Sequence, residues 1–240
     1  MPLYSPSGGN CIESLRLASL DFQKPFQLVK YELNLLGIDE MSQASPIINN
    51  RKAEFPIDAQ FLERWSPRAF TGELISEPEI MGFLEAARWA PSSNNGQPWR
   101  FVLILRNDPE WDSLFATLNA NNQAWVGKAS ALIAVASYQL IAKAGSPDLI
   151  PNAMHAFDAG AAWAYMALQA HLQGWAMHGI GGFDKEAGAQ VLKMPEHHTL
   201  QMLAVVGKRG DASTLPDTLR QREAPNDRKQ LSSLVKRGSF

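Results

Sequence analysis

The chain has 240 residues, room for one large domain or two small ones, and enough to bury a core without a metal or disulfide staple. Apolar residues make up 45% and charged residues 19%, with 22 basic side chains against 24 acidic ones; a net charge of −2 argues against a dedicated nucleic-acid or anionic-membrane binder. The single cysteine, Cys11, excludes an intrachain disulfide.

Residues 1–50 differ from the remainder of the chain: prolines and glycines at both ends, an amphipathic stretch over 11–36, and a polar run over 42–50. They form either an N-terminal extension peculiar to this chain or a helix packing on the body, and the body is expected to span 51–240. No basic segment leads into an apolar one, so no secretory signal is expected and the chain reads as cytoplasmic.

Ser76-Glu77-Pro78-Glu79 has the form of a capping box, and Ile80, Phe83, Leu84 and Ala87 recur at helical spacing, which predicts a helix over 77–89. Pro91 to Pro98 must be irregular. The apolar run 100–105 reads as a buried strand, Asp108-Pro109-Glu110 as a helix start, and 131–137 as a second buried strand. A long helix is expected over 152–173, stopped by Gly174, with Trp163, Tyr165 and Met166 as core packing. A strand over 175–180, a helix capped by Asp184 and running through 193, a strand over 199–207 and a short helix over 228–237 complete the pattern. No Asp, Glu, Lys or Arg occurs between Ala159 and Phe183. Gln169, His171 and Gln173 interrupt that stretch, so it fits a helix buried in protein rather than a membrane span. No dinucleotide fingerprint and no Walker loop accompanies these elements. The expected class is α+β, a modest sheet with helices on its faces.

Hydrolytic and metal chemistry have little to stand on. There is no Gly-x-Ser-x-Gly elbow, no His-Glu-x-x-His among the five histidines, and no cysteine pair. Three segments look purposeful. In Arg64-Trp65-Ser66-Pro67-Arg68, an extended backbone turns Arg64, Ser66 and Arg68 to one side: two guanidinium forks and a hydroxyl, suited to phosphate. The loop Pro91-Ser92-Ser93-Asn94-Asn95-Gly96-Gln97-Pro98 offers side chains that both donate and accept, as a heterocycle's alternating edge requires. Gly181-Gly182-Phe183-Asp184, between a strand and a helix, lets backbone approach a flat ring closely. Each segment taken alone is also compatible with an ordinary solvated loop or turn.

Together, Arg-x-Ser-x-Arg, a capped acidic helix and Ala-x-x-Ala-Pro-Ser-Ser-x-Asn-x-Gln-Pro-Trp running into a strand resemble the nitroreductase family of FMN flavoproteins. Asp158-Ala159-Gly160, Gly181-Gly182-Phe183-Asp184, Val206-Gly207-Lys208 and Arg228-Lys229 come in the family's order, so the resemblance spans about 60–237. It implies a homodimer with a mostly antiparallel or mixed sheet, FMN at the dimer interface, and a C-terminal segment reaching the partner. It also implies a ping-pong cycle in which NADH or NADPH reduces FMN and a small planar acceptor, such as a nitroaromatic or quinone, takes the electrons. By the same resemblance, Arg64, Ser66, Arg68 and Arg228 hold the phosphate and ribityl chain, and Pro91, Ser92, Ser93 and Asn95 form the ring-contacting loop. The backbone amides of Gly181 and Gly182 would approach flavin N5, and no side chain is an obligate catalyst. Well-studied branches carry an acid where this chain has Gly181, which leaves the nicotinamide contact open. A flavin-binding module without turnover is the alternative reading.

Overall fold

The computed structural model describes residues 49–239; the expectations for 1–48, including the amphipathic stretch and Cys11, lie outside the described residues. Four strands form the central sheet: β1 (Trp99–Leu105), β2 (Ala131–Tyr138), β5 (Ala176–Ile180) and β6 (His198–Gly207), in the order β1-β2-β6-β5. Every pairing in it is antiparallel, with a register shift between Val135 and Ala136.

The apolar runs of β2 and β6 lack a polar face because both faces of the sheet are covered. Ile133, Val135, Ala204 and Val206 point into one core with α2 (Glu77–Arg88) and α5 (His155–Leu172). Leu132, Ala134, Leu203 and Val205 point into the other, with α3 (Trp111–Ala116) and α4 (Ala120–Val126). Alternate residues of one strand thus feed two cores.

Local chemistry sets several boundaries. Glu79 reaches back to the Ser76 amide at 3.1 Å and hydroxyl at 2.7 Å, opening α2 as the capping box requires. Asp184 accepts from the amides of Glu186 and Ala187, both at 3.0 Å, and starts α6 (Lys185–Val191). Between β2 and α5 lies a small hairpin, β3 (Leu140–Ala142) with β4 (Leu149–Pro151), which the sequence pattern did not suggest.

Two expectations need correction. The region 228–237 holds one 3-10 turn, Leu231–Ser233, rather than a helix; no residue of that turn is buried, so tertiary packing does not extend it. On α5, Met166 is fully buried, but Tyr165 is 43% exposed and Phe157 73% exposed, so among the described residues the outer face of this helix, whose one acid, Asp158, is buried, carries exposed apolar side chains. Among the described residues, no helix is long and apolar enough to cross a membrane.

Candidate functional site

The first wall of the site is the segment that leaves α1 (Gln60–Glu63). Arg64 ends that helix with extended backbone, φ −65° and ψ 125°. Alternation then turns Arg64, Ser66 and Arg68 to one side, and the Arg64 Nη1 to Ser66 Oγ distance is 3.5 Å. Tertiary bonds hold the segment in place. Thr71 N–H donates to the Lys208 carbonyl at 3.0 Å and Gly210 N–H to Ala69 at 2.7 Å, tying it to the end of β6. His178, on β5, donates from Nδ1 to the Pro67 carbonyl at 3.0 Å while its ring packs on Trp125, centroids 4.7 Å apart.

The second wall is the chain after α7 (Asp217–Arg220). Glu223, its side chain 3% exposed, accepts the backbone amides of Arg68 at 2.6 Å and Ala69 at 2.9 Å. Its other oxygen makes no hydrogen bond but lies 3.6 Å from the Arg68 guanidinium, at ion-pair range. Arg51 joins the two walls: Nε donates to the Asn226 carbonyl at 2.7 Å, and Nη1 to Leu62 at 3.1 Å and Arg64 at 2.9 Å.

Between these walls lies a chamber of about 450 Å³ lined by Arg51, Arg64, Ser66, Arg68, Arg222 and Arg228, with His178 and Asn226 among its other residues. Burial, then the charges of Arg51 and Arg228, lowers the Arg64 pKa from its ordinary value. Burial and Arg228 do the same to Arg51, partly offset by Asp227. These cations repel one another across a shared space, which an anion would relieve. Burial above all, with Arg68 and Arg64 adding to it against the Pro67 and Ser66 backbone bonds, pushes the His178 imidazole down to about 4, so it is neutral at pH 7.

A second hollow, an apolar cleft of about 540 Å³, meets the chamber at Arg64 and Ser66. Its walls are Phe61, the α5 residues Trp163, Ala164, Ala167 and Leu168, Met202, and Gly179, Ile180 and Gly181 at and just past the end of β5. Of its lining residues, Arg64 alone carries a charge. A phosphate-terminated ligand with a flat apolar body matches this pair of spaces: the forks suit the phosphate, the apolar walls the ring.

The structure thus gathers Arg64, Ser66, Arg68 and Arg228 around one chamber and sets Gly181 on the adjoining cleft. Gly182 adjoins neither hollow: its carbonyl accepts from Asn119 N at 3.0 Å and Asn122 Nδ2 at 2.9 Å. Pro91, Ser92, Ser93 and Asn95 line neither space. Their loop is nevertheless held in a defined shape. Asn94, Asn95 and Gln97 have φ of 49°, 54° and 45°, Gln97 N–H donates to Ser92 Oγ at 3.0 Å, and Ser93 N–H donates to the buried Asp158 carboxylate at 3.1 Å. Three left-handed non-glycine residues in four positions persist only where the surroundings impose them, and such backbone collects at functional sites.

Arg51, His178 and Glu223 were not singled out from sequence. Arg51 sits in an unremarkable polar stretch and Glu223 in a charged run that reads as solvated surface. For His178 a signal existed: strand parity puts it on the face of Ile180 rather than of Met177. Among the described residues, no cluster of three His, Cys, Asp or Glu could hold a metal ion.

The nitroreductase family profile matches residues 61–208, more than half of the chain. A Bacillus subtilis (strain 168) protein named as an NAD(P)H nitroreductase, YdgI, is 31% identical over 169 residues, covering 57% of this chain and 80% of its own. A solved oxidoreductase containing FMN superimposes with a TM-score of 0.77 at 39% identity, covering 82% of this chain and 98% of that one. A nitroreductase from Desulfovibrio desulfuricans, solved in complex with FMN, gives a TM-score of 0.59 at 25% identity, with 78% of this chain and 99% of that one covered. The helix-covered antiparallel sheet, the order of the motifs along it and the extent of these matches lead to one conclusion: the chain belongs to the nitroreductase family.

Proposed function

We propose that this protein is a cytoplasmic FMN-dependent oxidoreductase that takes electrons from NADH or NADPH and passes them, in a ping-pong cycle, to a small planar acceptor such as a nitroaromatic or a quinone. The observation that carries this reading is the contiguity of the arginine chamber and the apolar cleft through Arg64 and Ser66. A phosphate monoester carries about −1.5 to −2 charges at neutral pH and calls for more than one cation. Arg64, Arg68 and Arg228 supply them with Ser66, and Arg51 belongs with them. When bound, FMN supplies the two-electron relay between donor and acceptor. The protein's part is to fix the phosphate, exclude water from the cleft with Trp163, Leu168 and Met202, and present the backbone at Gly181 to the ring edge.

The loop bearing Pro91, Ser92, Ser93 and Asn95 takes its place in this reading through a second copy of the chain. Its left-handed backbone, its absence from the lining of both hollows and the exposed apolar side chains Phe157 and Tyr165 of α5 support a homodimer. In that dimer each loop completes the partner's cleft, and the segment after residue 228 extends towards the other copy. Residues 51–240 form the catalytic domain and 1–50 an N-terminal extension, a division supported by the family match beginning at residue 61.

The test is spectroscopic. Purified protein should be yellow with one FMN per chain, bleach anaerobically on addition of NADH or NADPH, and regain colour with nitrobenzene or 1,4-benzoquinone. Colour without bleaching would instead mark a flavin-binding module without turnover. A colourless protein that takes up no added FMN would overturn the proposal.

A further inference from the structure

The first turn of α5 carries two polar side chains that the flavin reading leaves without a role. His155 opens the helix, and its Nδ1 lies 2.8 Å from the hydroxyl of Ser137 near the end of β2. Ser137 is fully buried, and its oxygen also accepts from Gln201 Nε2, on β6, at 2.8 Å. With that amide donating to it, the hydroxyl gives its own proton to His155, so Nδ1 is the bare nitrogen of the ring. Three residues on, and so on the same side of the helix, Asp158 is 3% exposed and accepts the Ser93 amide at 3.1 Å.

These bonds grip the Ser92–Asn95 loop from both ends. Asp158 ties its start to α5. Its exit is tied to β2, where Tyr138 N–H, next to Ser137, donates to the Pro98 carbonyl at 2.8 Å. The Ser137–His155 bond then joins the two supports to each other. Stability alone does not ask for this arrangement. Buried polar groups lose their water and regain little net from their partners, so an apolar pair of the same shape would hold the fold nearly as well. What directional bonds add is one defined position, and the backbone positioned here is the one with three left-handed non-glycine residues.

We propose that Ser137, His155 and Asp158 are positioning residues: they fix where the Ser92–Asn95 loop meets the flavin ring in the partner's cleft, without touching flavin themselves. The inference rests on the flavin reading and on the place of the loop in it. Displacement of a positioned group by about 1 Å costs up to about 100-fold in what it achieves, so a support buried behind the loop acts on the site at a distance.

Ser137→Ala combined with His155→Leu removes both partners of the bond at once, which costs little stability. His155→Asn keeps a side-chain oxygen as acceptor near the place of Nδ1. Asp158→Ala removes the other support, and Asp158→Asn keeps an acceptor for the Ser93 amide. The full chain is followed by urea unfolding, sedimentation and FMN fluorescence titration. The double variant and Asp158→Ala should stay folded and dimeric yet bind FMN about tenfold or more weakly, and the two Asn variants should regain most of the loss. A mixed dimer of the double variant with Arg64→Ala, purified through two different tags, should hold one FMN at wild-type affinity, because the intact loop of one chain then faces the intact chamber of the other. Wild-type FMN affinity in the double variant and in Asp158→Ala, whatever their urea stability, would show that these groups serve the fold alone and would overturn the inference. A loss that the Asn variants do not recover, or a mixed dimer with no restored site, would overturn it as well. A wild-type protein that takes up no FMN defeats the functional reading and this inference together.

Discussion

Glu223 holds Arg68 from two directions: its carboxylate accepts the Arg68 backbone amide at 2.6 Å and faces the Arg68 guanidinium at 3.6 Å. One buried acid thereby joins the C-terminal segment to the arginine strip and fixes both walls of the chamber. Glu223→Gln keeps the shape but removes the charge, and the amides of Arg68 and Ala69 lose their charged acceptor. The expected cost is about 1.5–3 kcal/mol in urea unfolding. A double-mutant cycle with Arg68→Ala should show coupling of at least about 0.5 kcal/mol; strict additivity would mean the two groups do not act on one another.

Arg64 stands where chamber and cleft meet. Removing its guanidinium deletes a charge-assisted bond worth about 1.5–3 kcal/mol, so Arg64→Ala should bind FMN at least about tenfold more weakly by fluorescence titration. Arg64→Lys should recover only part of the loss, since an ammonium lacks the planar fork. Arg51→Ala should weaken FMN as well, because it releases the carbonyls of Arg64 and Asn226 together. Full retention of flavin in both alanine variants would remove this chamber from the cofactor site.

His178 makes stability depend on pH in a definite direction. Its folded-state pKa is depressed to about 4, below the ordinary value of 6.5. Between these values the unfolded chain binds a proton that the folded chain refuses, so stability is full above about pH 6.5 and declines as pH falls towards 4. The loss over that window is at most about 3 kcal/mol. His178→Asn retains an N–H for the Pro67 carbonyl without titrating there. Its unfolding free energy should therefore fall less steeply between those pH values; an unchanged slope would show that other groups carry the effect.

Gly207 tests the packing that seats the arginine strip. A Cβ there would come 2.7 Å from Phe70 Cδ1, and Phe70 is only 2% exposed. Gly207→Ala must push the ring and, with it, residues 69–71. A destabilisation of about 1–3 kcal/mol is expected by denaturant titration, as for other overpacked cores.

The apolar face of α5 should bring two chains together. Sedimentation should show a dimer, and Phe157→Glu, placing a charge on that face, should shift it towards monomer and lower flavin content in parallel. A monomeric wild-type protein that keeps its flavin would separate cofactor binding from the second copy.

Features governed by neighbours in the chain were legible from sequence. Ser76 and Glu79 are three residues apart, and their bond forms wherever that stretch turns helical, so the start of α2 could be read directly. The apolar run of β2 reported burial on both faces because each alternate residue had to meet a core, whereas β1, expected to be buried in the same way, is half-buried over most of its length with Arg100 exposed. The alternation of Arg64, Ser66 and Arg68 came in the same way from extended backbone. The hairpin of β3 and β4 escaped notice because three-residue strands carry too short a pattern. The expected helix at 228–237 shrank to one turn, and among the described residues its apolar side chains Leu231, Leu234 and Val235 stay exposed rather than packed.

What residue order by itself determined, then, was the set of short-range elements and the motif chemistry, since hydrogen bonds between near neighbours and the parity of a strand need no knowledge of the rest of the chain. Only the tertiary structure decided that Arg51, Arg64, Arg68 and Arg228 share one chamber, that Glu223 pins it and His178 lies in it uncharged, and that the Ser92–Asn95 loop stands apart from it. Those relations depend on closing loops of more than a hundred residues, and on burial that raises or lowers the cost of a charge. Neither quantity is written in any local stretch of sequence.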